Sequence, residues 1–252
     1  MVRPTPKDSF LRSFVAGSNQ RTVAGTRVKR LVLELKSLIK AVEPALSNSL
    51  NGGKAIDVGC GNMAISEALE AACSSIRFTR VDTYDAPVVS VTDISGHASG
   101  NYSRYIKYDG KTLPFSDKEF DLAICVDVLH HAGVGNAASL LREIARVSRY
   151  SIVKDHFEYG FLSRQILRAA DFFGNWGYGV NVPKKYFDTE SWAQILSDAS
   201  LQEIDRKTGI RVHGPAVSLL FRPKLHFISV IANGVPENFP RVFSSHAPPR
   251  IS

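Results

Sequence analysis

Ala55-Ile56-Asp57-Val58-Gly59-Cys60-Gly61-Asn62 is the stretch that decides the fold class of this 252-residue chain. Lys54–Val58 predicts a strand, and Met63–Ala72 predicts a helix. The two glycines between them allow a sharp turn, because glycine tolerates positive φ and lets a ligand approach the backbone. The helix would direct its amide-rich N-terminus at that ligand. The stretch therefore predicts a ligand-binding loop between a strand and a helix.

The glycine pattern by itself leaves more than one interpretation open. Gly59-x-Gly61-x-x-Ala64 satisfies the dinucleotide fingerprint with alanine in third place, and a tight turn without any ligand would look the same. Asp57 argues against a dinucleotide, because a carboxylate at this point serves an amino group or a sulfonium better than an anionic pyrophosphate. Asp82 ends the second predicted strand, where it could bind ribose hydroxyls in either nucleotide interpretation.

Strand and helix signals alternate along the rest of the chain. The predicted strands are Lys54–Val58, Ile76–Val81, Tyr105–Tyr108, Phe120–Val126, Tyr150–Lys154, Leu201–Ile204 and Leu225–Ala232. Helical spacing lies between several of them, as in Ala137–Val147. Strands separated by helix-length segments imply βαβ units. The sequence therefore predicts a doubly wound, Rossmann-like α/β fold with a seven-stranded, mostly parallel sheet.

The chain divides into three predicted regions. Residues 1–45 form an N-terminal extension with a basic amphipathic helix, Thr22–Ala45. Residues 46–234 form the α/β domain. Residues 235–252 contain four prolines and several Ser and Arg residues, which predicts a flexible tail.

An aromatic insert interrupts the domain at about residues 157–192. It holds ten of the 24 aromatic residues, including both tryptophans. Phe161–Phe173 has helical character, and Gly174–Gly179 is expected to be a loop. A segment this long and aromatic predicts a lid that covers a binding pocket and excludes water. A small satellite core that thickens the domain is the alternative.

Bulk composition bounds the class of protein. Apolar residues make up 44% of the chain and charged residues 22%, as in ordinary soluble domains. No stretch approaches the ~20 apolar residues that cross a bilayer, and the N-terminus lacks the pattern of a secretory signal. Cys60, Cys73 and Cys125 lack metal-type spacing. These features predict a cytoplasmic protein with reduced thiols, no membrane partner and no metal, and they leave the oligomeric state open.

The net charge of +7 is concentrated at the two ends of the chain. Residues 1–45 carry a net charge of +6 and residues 222–252 one of +3, which leaves the middle slightly acidic. A basic patch could attract RNA. No aromatic-and-basic RNA signature accompanies it, and basic terminal arms are commonly solvated. A small-molecule substrate is therefore favoured over nucleic acid.

The segment Tyr108–His131 separates the nucleotide interpretations. It contains Asp109-x-x-x-Leu113-Pro114-Phe115, then Phe120-Asp121, then Val128-Leu129-His130-His131. With the glycine loop, this succession resembles the class I S-adenosylmethionine (SAM)-dependent methyltransferases of the type 11 group over roughly residues 54–155. The resemblance implies a SAM cofactor. A nicotinamide-dependent oxidoreductase is disfavoured by Asp57, by the Leu-Pro-Phe and His-His elements, and by the lack of a separate catalytic domain.

The resemblance also implies a set of cofactor contacts. Asp57, Gly59 and Gly61 would line the methionine part of SAM, Asp82 would bind the ribose, and Asp109 would accept from the adenine amino group. The whole implied set is Asp57, Gly59, Cys60, Gly61, Asp82, Thr83, Asp109, Gly110, Val126 and Asp127.

Two departures from the family pattern are visible in the sequence. Met63 stands where the family usually has a third glycine, a difference that bears on the detailed geometry of that turn. The Pro-Gly-Gly turn before the fifth strand is absent, since Leu141–Tyr150 runs directly into it. The second departure lies far from the cofactor.

Methyl transfer from a sulfonium is an in-line displacement, in which alignment of the reacting groups is the enzyme's main contribution. A base adds about 10²–10⁴-fold when the acceptor is a hydroxyl or a protonated amine. Ligands of open α/β sheets bind at the carboxyl ends of the strands. His130 and His131 follow the fourth strand, and Asp155 and His156 follow the fifth. His156, Asp155 and His131 are predicted to be catalytic.

Other roles remain open for these residues and their neighbours. Asp155 could instead orient His156, and one histidine of the pair could be a packing or helix-starting residue. Lys154 is expected to be solvated or ion-paired, and Tyr186 is a lower-ranked substrate contact.

The favoured function is SAM-dependent methyl transfer to a nucleophilic oxygen or nitrogen of a small molecule. An aromatic or apolar molecule would suit the rings of the insert. The alternatives are a methyltransferase that acts on RNA or protein, and a catalytically inactive SAM-binding protein that serves a partner.

Overall fold

The computed structural model describes residues 18–47, 53–84, 104–174 and 181–234. Its helices are α1 (Ser18–Ser47), α2 (Ala64–Ala72), α3 (Leu129–Ala132), α4 (Val134–Val147), α5 (Phe161–Gly174), α6 (Thr189–Asp198) and α7 (Pro215–Ser218). Its strands are β1 (Lys54–Val58), β2 (Arg77–Asp82), β3 (Tyr105–Lys107), β4 (Phe120–Val126), β5 (Ser148–His156), β6 (Gln202–Thr208) and β7 (His226–Ala232). Each strand predicted from the sequence corresponds to one of these, with ends that differ by a few residues.

The strands form one sheet of order β3-β2-β1-β4-β5-β7-β6. The first five strands pair in parallel, and β7 runs antiparallel to both β5 and β6. The predicted seven-stranded, mostly parallel α/β fold is confirmed. The strand order reverses between β1 and β4, and the carboxyl ends of strands at such a switch point form a crevice for ligands.

The sheet is buried on both faces, because successive side chains of a strand point to opposite sides. Ile56 and Val58 belong to an apolar cluster shared with α4 and α6, whereas Ala55 belongs to one shared with α1 and α2. The molecule therefore has a helix layer on each side of the sheet. All three cysteines are buried free thiols.

The N-terminal helix α1 is part of this core. Its fully buried apolar residues are Leu31, Leu35, Leu38, Ile39 and Val42. On the polar side of the contact, Lys207 of β6 forms an ion pair with Glu34 at 2.6 Å. None of the described helices combines the length and the apolarity that crossing a membrane requires. The domain boundary at residue 45 stays a prediction, and the predicted 235–252 tail lies outside the described residues.

The fifth strand is longer than the sequence predicts. Asp155 pairs with Phe227 and His156 pairs with His226, so both residues belong to β5. The expectation that they follow the strand is wrong. Backbone pairing with β7, which is distant in sequence, extends the strand to its last two polar residues.

The aromatic insert contains buried and exposed rings. The buried rings are Phe157, Tyr186, Phe187 and Trp192, and the exposed ones are Tyr159, Phe161, Phe172 and Phe173. Tyr186 forms a small cluster of its own with Leu167 and Leu225, as the satellite-core alternative expects. The predicted loop lies almost wholly outside the described residues, beyond Gly174. The lid role stays a prediction.

Leu35→Ala should lower the free energy of unfolding by about 2–5 kcal/mol, because it leaves a cavity between α1 and the sheet. Leu33→Ala on the same helix is the matched control: Leu33 is 67% exposed, and its loss should change stability by less than about 0.5 kcal/mol. Urea unfolding followed by circular dichroism measures both. Equal effects would contradict the packing of α1.

Candidate active site

The glycine loop joins β1 to α2 and is held by the neighbouring strand. The amides of Gly59 and Cys60 both donate to the carbonyl of Val81 on β2, at 2.8 and 3.2 Å. Gly59 and Gly61 have φ of 74° and 52°. These left-handed conformations strain residues with a Cβ, so the backbone of the turn itself favours glycine at both positions.

The two glycines have different surroundings. A Cβ on Gly59 would lie 2.4 Å from a methyl carbon of Val128, which follows β4. A Cβ on Gly61 would meet nothing within 4 Å. Gly59 is therefore required by packing between two loops, and Gly61 borders the open space in which a ligand could lie.

Met63 occupies the position where the family pattern has its third glycine. Its φ is 65°, a left-handed conformation that costs roughly 1–2 kcal/mol for a residue with a Cβ. The side chain is buried, and burial of a methionine contributes about 1.5–3 kcal/mol. The glycine-like turn is thus kept, and side-chain burial offsets its strain.

Asp82 connects the glycine loop to the end of β2. One carboxylate oxygen accepts from the Gly61 amide at 2.8 Å, and the other accepts from the Thr83 amide at 2.7 Å. The carboxylate is buried. Two backbone donors therefore fix the position of the Asp82 carboxylate, which is predicted to bind the ribose.

Gly110, next to Asp109, lies beside Thr83 at the end of β2. A Cβ on Gly110, which has a φ of 77°, would come within 3.1 Å of the Thr83 methyl group. One oxygen of Asp109 accepts from the Lys111 and Thr112 amides, at 2.8 and 2.9 Å, and these bonds lower the pKa of Asp109. The fold therefore brings Asp109 and Gly110, predicted to contact the adenine, close to Thr83 and to Asp82, which is predicted to contact the ribose.

Asp57 is a buried carboxylate at the second-to-last position of β1. Burial raises its pKa to about 6, although a hydrogen bond from Ser66 and the charge of Arg80 act in the opposite direction. Its charge is incompletely compensated by the protein, and a cationic ligand group would stabilise it. This buried acid and the open space at Gly61 fit a cofactor that carries an amino group and a sulfonium. Burial also raises the pKa of the adjacent Cys60, which stays a thiol.

A second group of charges lies at the carboxyl ends of β4 and β5. Asp127, just beyond the half-buried Val126, forms ion pairs with Lys154 and with Arg27 of α1. Burial would raise the pKa of Asp127, but the charges of Lys154, His156 and Arg27 hold it well below its usual range. Lys154 is fully buried, so of the two expectations for this residue, ion pairing is confirmed and solvation is wrong.

His130 stands between two carboxylates. Its Nδ1 lies 2.7 Å from an oxygen of Asp155, and its Nε2 lies 3.3 Å from an oxygen of Asp171 on α5. The Tyr186 hydroxyl donates to that same Asp171 oxygen. Burial lowers the pKa of His130, but the two carboxylates outweigh it and raise the pKa to about 10. A positively charged His130 therefore attaches the aromatic insert to the ends of β4 and β5.

The same cluster contains metal-type ligand sets. His130, His131 and Asp171 offer three ligand atoms within 4.8 Å of one another, as do His130, Asp155 and His156. His130 belongs to both sets, and its charged form already neutralises the carboxylates on either side. The arrangement favours a proton over a metal ion at this position.

His131 is the most exposed of the three predicted catalytic residues. Its Nδ1 lies 3.2 Å from the backbone carbonyl of Asn181. A carbonyl can only accept, so Nδ1 carries the proton and Nε2 keeps its lone pair. Burial and the charge of His130 lower the pKa of His131. At neutral pH this ring is uncharged and has a basic nitrogen.

His156 is held more firmly. Its Nε2 lies 3.3 Å from the ammonium of Lys154, which donates to it. Its Nδ1 faces the carboxylates of Asp127 and Asp155, 3.5 Å from each. Burial and the charge of Lys154 lower the pKa of His156. Asp155 itself accepts from the backbone amides of His130 and His156, so it orients both residues.

The five histidines of the described residues stand in one row, with neighbouring ring centroids 4.1 to 5.4 Å apart. The order is His131, His130, His156, His226 and His213. Sequence reasoning missed His213, His226, Asp171 and Arg27. The β5–β7 register alone places His226 beside His156, and a single arginine in a basic helix carries no signal of its own.

Comparison with known proteins agrees with this geometry. Residues 56–150 match the family model of a methyltransferase domain. The match confirms the predicted class I methyltransferase resemblance, the predicted enzyme class and SAM as the cofactor. No curated protein sequence matches the chain.

Two solved structures are similar in fold. Magnesium protoporphyrin IX methyltransferase from Synechocystis PCC 6803 with bound SAH is 16% identical, with a TM-score of 0.51 and 84% of each chain covered. A chain from the complex between the Haloferax volcanii Trm112 methyltransferase activator and its methyltransferase is 15% identical, with a TM-score of 0.51. That match covers 78% of this chain and 90% of the other. At this identity the likeness supports the fold alone.

Asp57→Asn should stabilise the cofactor-free protein at alkaline pH. The folded-state pKa of about 6 lies above the ordinary value of 3.8, so the folded protein binds this proton more tightly and loses stability as pH rises between these values. The gain of the variant at about pH 8 should be at most roughly 3 kcal/mol. Thermal unfolding at about pH 4 and about pH 8 measures it, and an equal pH dependence in both proteins would contradict the buried charge.

Proposed function

We propose that this protein transfers the methyl group of SAM to a nucleophilic oxygen or nitrogen of a small molecule bound over the carboxyl ends of β4 and β5. One observation carries the proposal: the cofactor loop and the histidine cluster are adjacent. Val128 packs on Gly59, and its carbonyl accepts from the His131 amide at 3.0 Å. A methyl group beside the glycine loop would therefore lie close to His131.

The cofactor side of the site uses three carboxylates in this proposal. SAM supplies an electrophilic methyl group on a sulfonium. Asp57 compensates the ammonium group of its methionine part, and Asp82 accepts from the ribose hydroxyls. Asp109 accepts from the adenine amino group, next to Gly110. The remaining expected contacts, with Cys60, Thr83, Val126 and Asp127, stay part of the same proposal.

On the acceptor side, His131 is proposed to take the proton of the acceptor. Its Nδ1 donates to the Asn181 carbonyl. Nε2 is therefore the ring nitrogen with a lone pair that can accept a proton. Its lowered pKa keeps it neutral. The proton released as the acceptor attacks the methyl group would move to Nε2, which makes His131 the general base.

Asp155 and His156 are proposed to act beneath His131. Asp155 is fully buried and accepts from three groups of His130 and His156, which makes it a positioning residue. His156 lies between Lys154 and two carboxylates and would form the floor of the acceptor site. Its hydrogen bond with Lys154 leaves it less free to accept a proton than His131.

The charge of this cluster supports a neutral acceptor. Its cations are Arg27, Lys154 and His130, and its carboxylates are Asp127, Asp155 and Asp171. The two sets balance, so the floor has no net charge with which to select an ionic substrate. A small neutral molecule with a hydroxyl or amine group suits it better than a polyanion such as RNA.

Asp82→Ala should weaken SAM binding by about 100-fold or more, because it removes both the ribose acceptor and the anchor of the Gly61 amide. Isothermal titration with SAM and with S-adenosylhomocysteine measures this. Asp117→Ala is the matched control, since Asp117 is an exposed acid that pairs with Arg146 of α4 and is not among the predicted cofactor contacts. If the native protein bound neither compound at millimolar concentration, the proposed function would be wrong.

His131→Gln should lower kcat by about 100-fold or more and leave SAM affinity nearly unchanged, because only proton transfer is lost. S-adenosylhomocysteine release, screened over small phenols, alcohols and amines, gives the rate. For the native enzyme, kcat/KM should fall at acidic pH as His131 becomes protonated, with a midpoint below the ordinary value of 6.5. A variant that retained full turnover and this acid limb would refute the assignment. SAM binding without turnover of any acceptor class would instead favour the non-catalytic alternative.

A further inference from the structure

The helix α5 has an apolar face that points away from the protein. Its large exposed side chains are Phe161, Leu162, Phe172 and Phe173. Residues eleven positions apart differ by only about 20° around an α-helix, so both ends of the helix carry their exposed residues on one face. Leu167 is buried and Asp171 pairs with His130 on the inner side. The outer face is thus fixed in place by the cluster beneath it.

The connection formed by residues 209–225 adds a second exposed apolar element. Leu219 is 81% exposed and Leu220 is 55% exposed, just after α7. The connection also carries three exposed cations, Arg211, Arg222 and Lys224. Residues 209–225 contain no Asp or Glu.

These two elements adjoin. The Lys224 ammonium lies 5.1 Å from the centre of the Tyr159 ring, just before α5. The backbone amide of Phe157 donates to the Leu225 carbonyl at 2.9 Å. The exposed start of α5 and the end of the 209–225 connection therefore form one surface, here called the apolar–basic surface, made of Tyr159, Phe161, Leu162, Arg222 and Lys224.

We propose that the apolar–basic surface docks the protein on an anionic lipid membrane, an interaction that goes beyond the proposed methyl transfer. Phe161 and Leu162 are 73% and 74% exposed. Exposure of large apolar side chains to water is unfavourable, so their insertion at the headgroup boundary is favourable. Basic residues beside them are attracted to anionic headgroups. The expectation of no membrane partner rested on the absence of a spanning stretch, and an interfacial helix needs none.

The charges favour a membrane over a second copy of this chain. In a two-fold dimer the same patch would face itself. Arg222 and Lys224 would then lie near the same two cations of the second copy, and the 209–225 connection has no carboxylate to neutralise them. Like charges across an interface oppose association.

Co-sedimentation with vesicles tests the proposal on the full-length protein, without SAM. Binding to vesicles of phosphatidylcholine with phosphatidylglycerol should exceed binding to phosphatidylcholine alone by about tenfold or more, and added salt should reduce it. The double variant Phe161→Ser/Leu162→Ser should lose about tenfold or more of this binding. Arg222→Gln/Lys224→Gln should abolish the preference for the anionic lipid.

Leu33→Ser is the matched control, because Leu33 is a leucine on α1 with a similar exposure of 67%. Vesicle binding by this variant should remain native. Circular dichroism and SAM titration confirm that each variant is folded, and they keep a failure here distinct from a failure of the proposed methyl transfer. Native binding by the Phe161/Leu162 variant, or no binding of the native protein to anionic vesicles, overturns the proposal. Dimerisation in light scattering that the same variant abolishes would assign the surface to a second copy and also overturn it.

Discussion

The charged ring of His130 lies between the carboxylates of Asp155 and Asp171, and the arrangement of the proposed acceptor side depends on this pairing. Each of the three groups comes from a different element: β5, α3 and α5. A buried charge that loses its partner is strongly unfavourable, so none of the three elements can move independently. The pairing holds the insert over the sheet, and it fixes the backbone from which His131 and His156 project.

The cofactor side is built on a different principle. There the backbone does most of the positioning, through the Val81 carbonyl, the Gly61 amide and the left-handed turns of the loop. Asp57 remains a buried acid without full compensation. A preformed loop with an uncompensated acid suits a cationic ligand that binds reversibly. The charges of the histidine cluster neutralise one another, which suits a structural role. The contact of Val128 with Gly59 joins the two sides.

Much of the fold is predictable from the sequence. Short apolar runs separated by helix-length segments indicate the buried strands of a parallel sheet. β1 and β4 were placed at their observed ends, and the other strands within a few residues. The errors share one cause. β5 extends through Asp155 and His156 because β7 pairs with it, and Lys154 is buried in an ion pair with Asp127 rather than solvated. Both facts depend on residues distant in sequence.

The sequence by itself determined the α/β class, the glycine loop and the match to a methyltransferase domain, since these depend on local spacing and residue type. Only the tertiary structure decided which side chains meet. It placed Asp171 and Arg27 beside residues more than 40 positions away, gave His130 its charge and left His131 neutral. It also turned the apolar face of α5 outward. Protonation and exposure are set by the surrounding atoms, and one-dimensional spacing does not contain them.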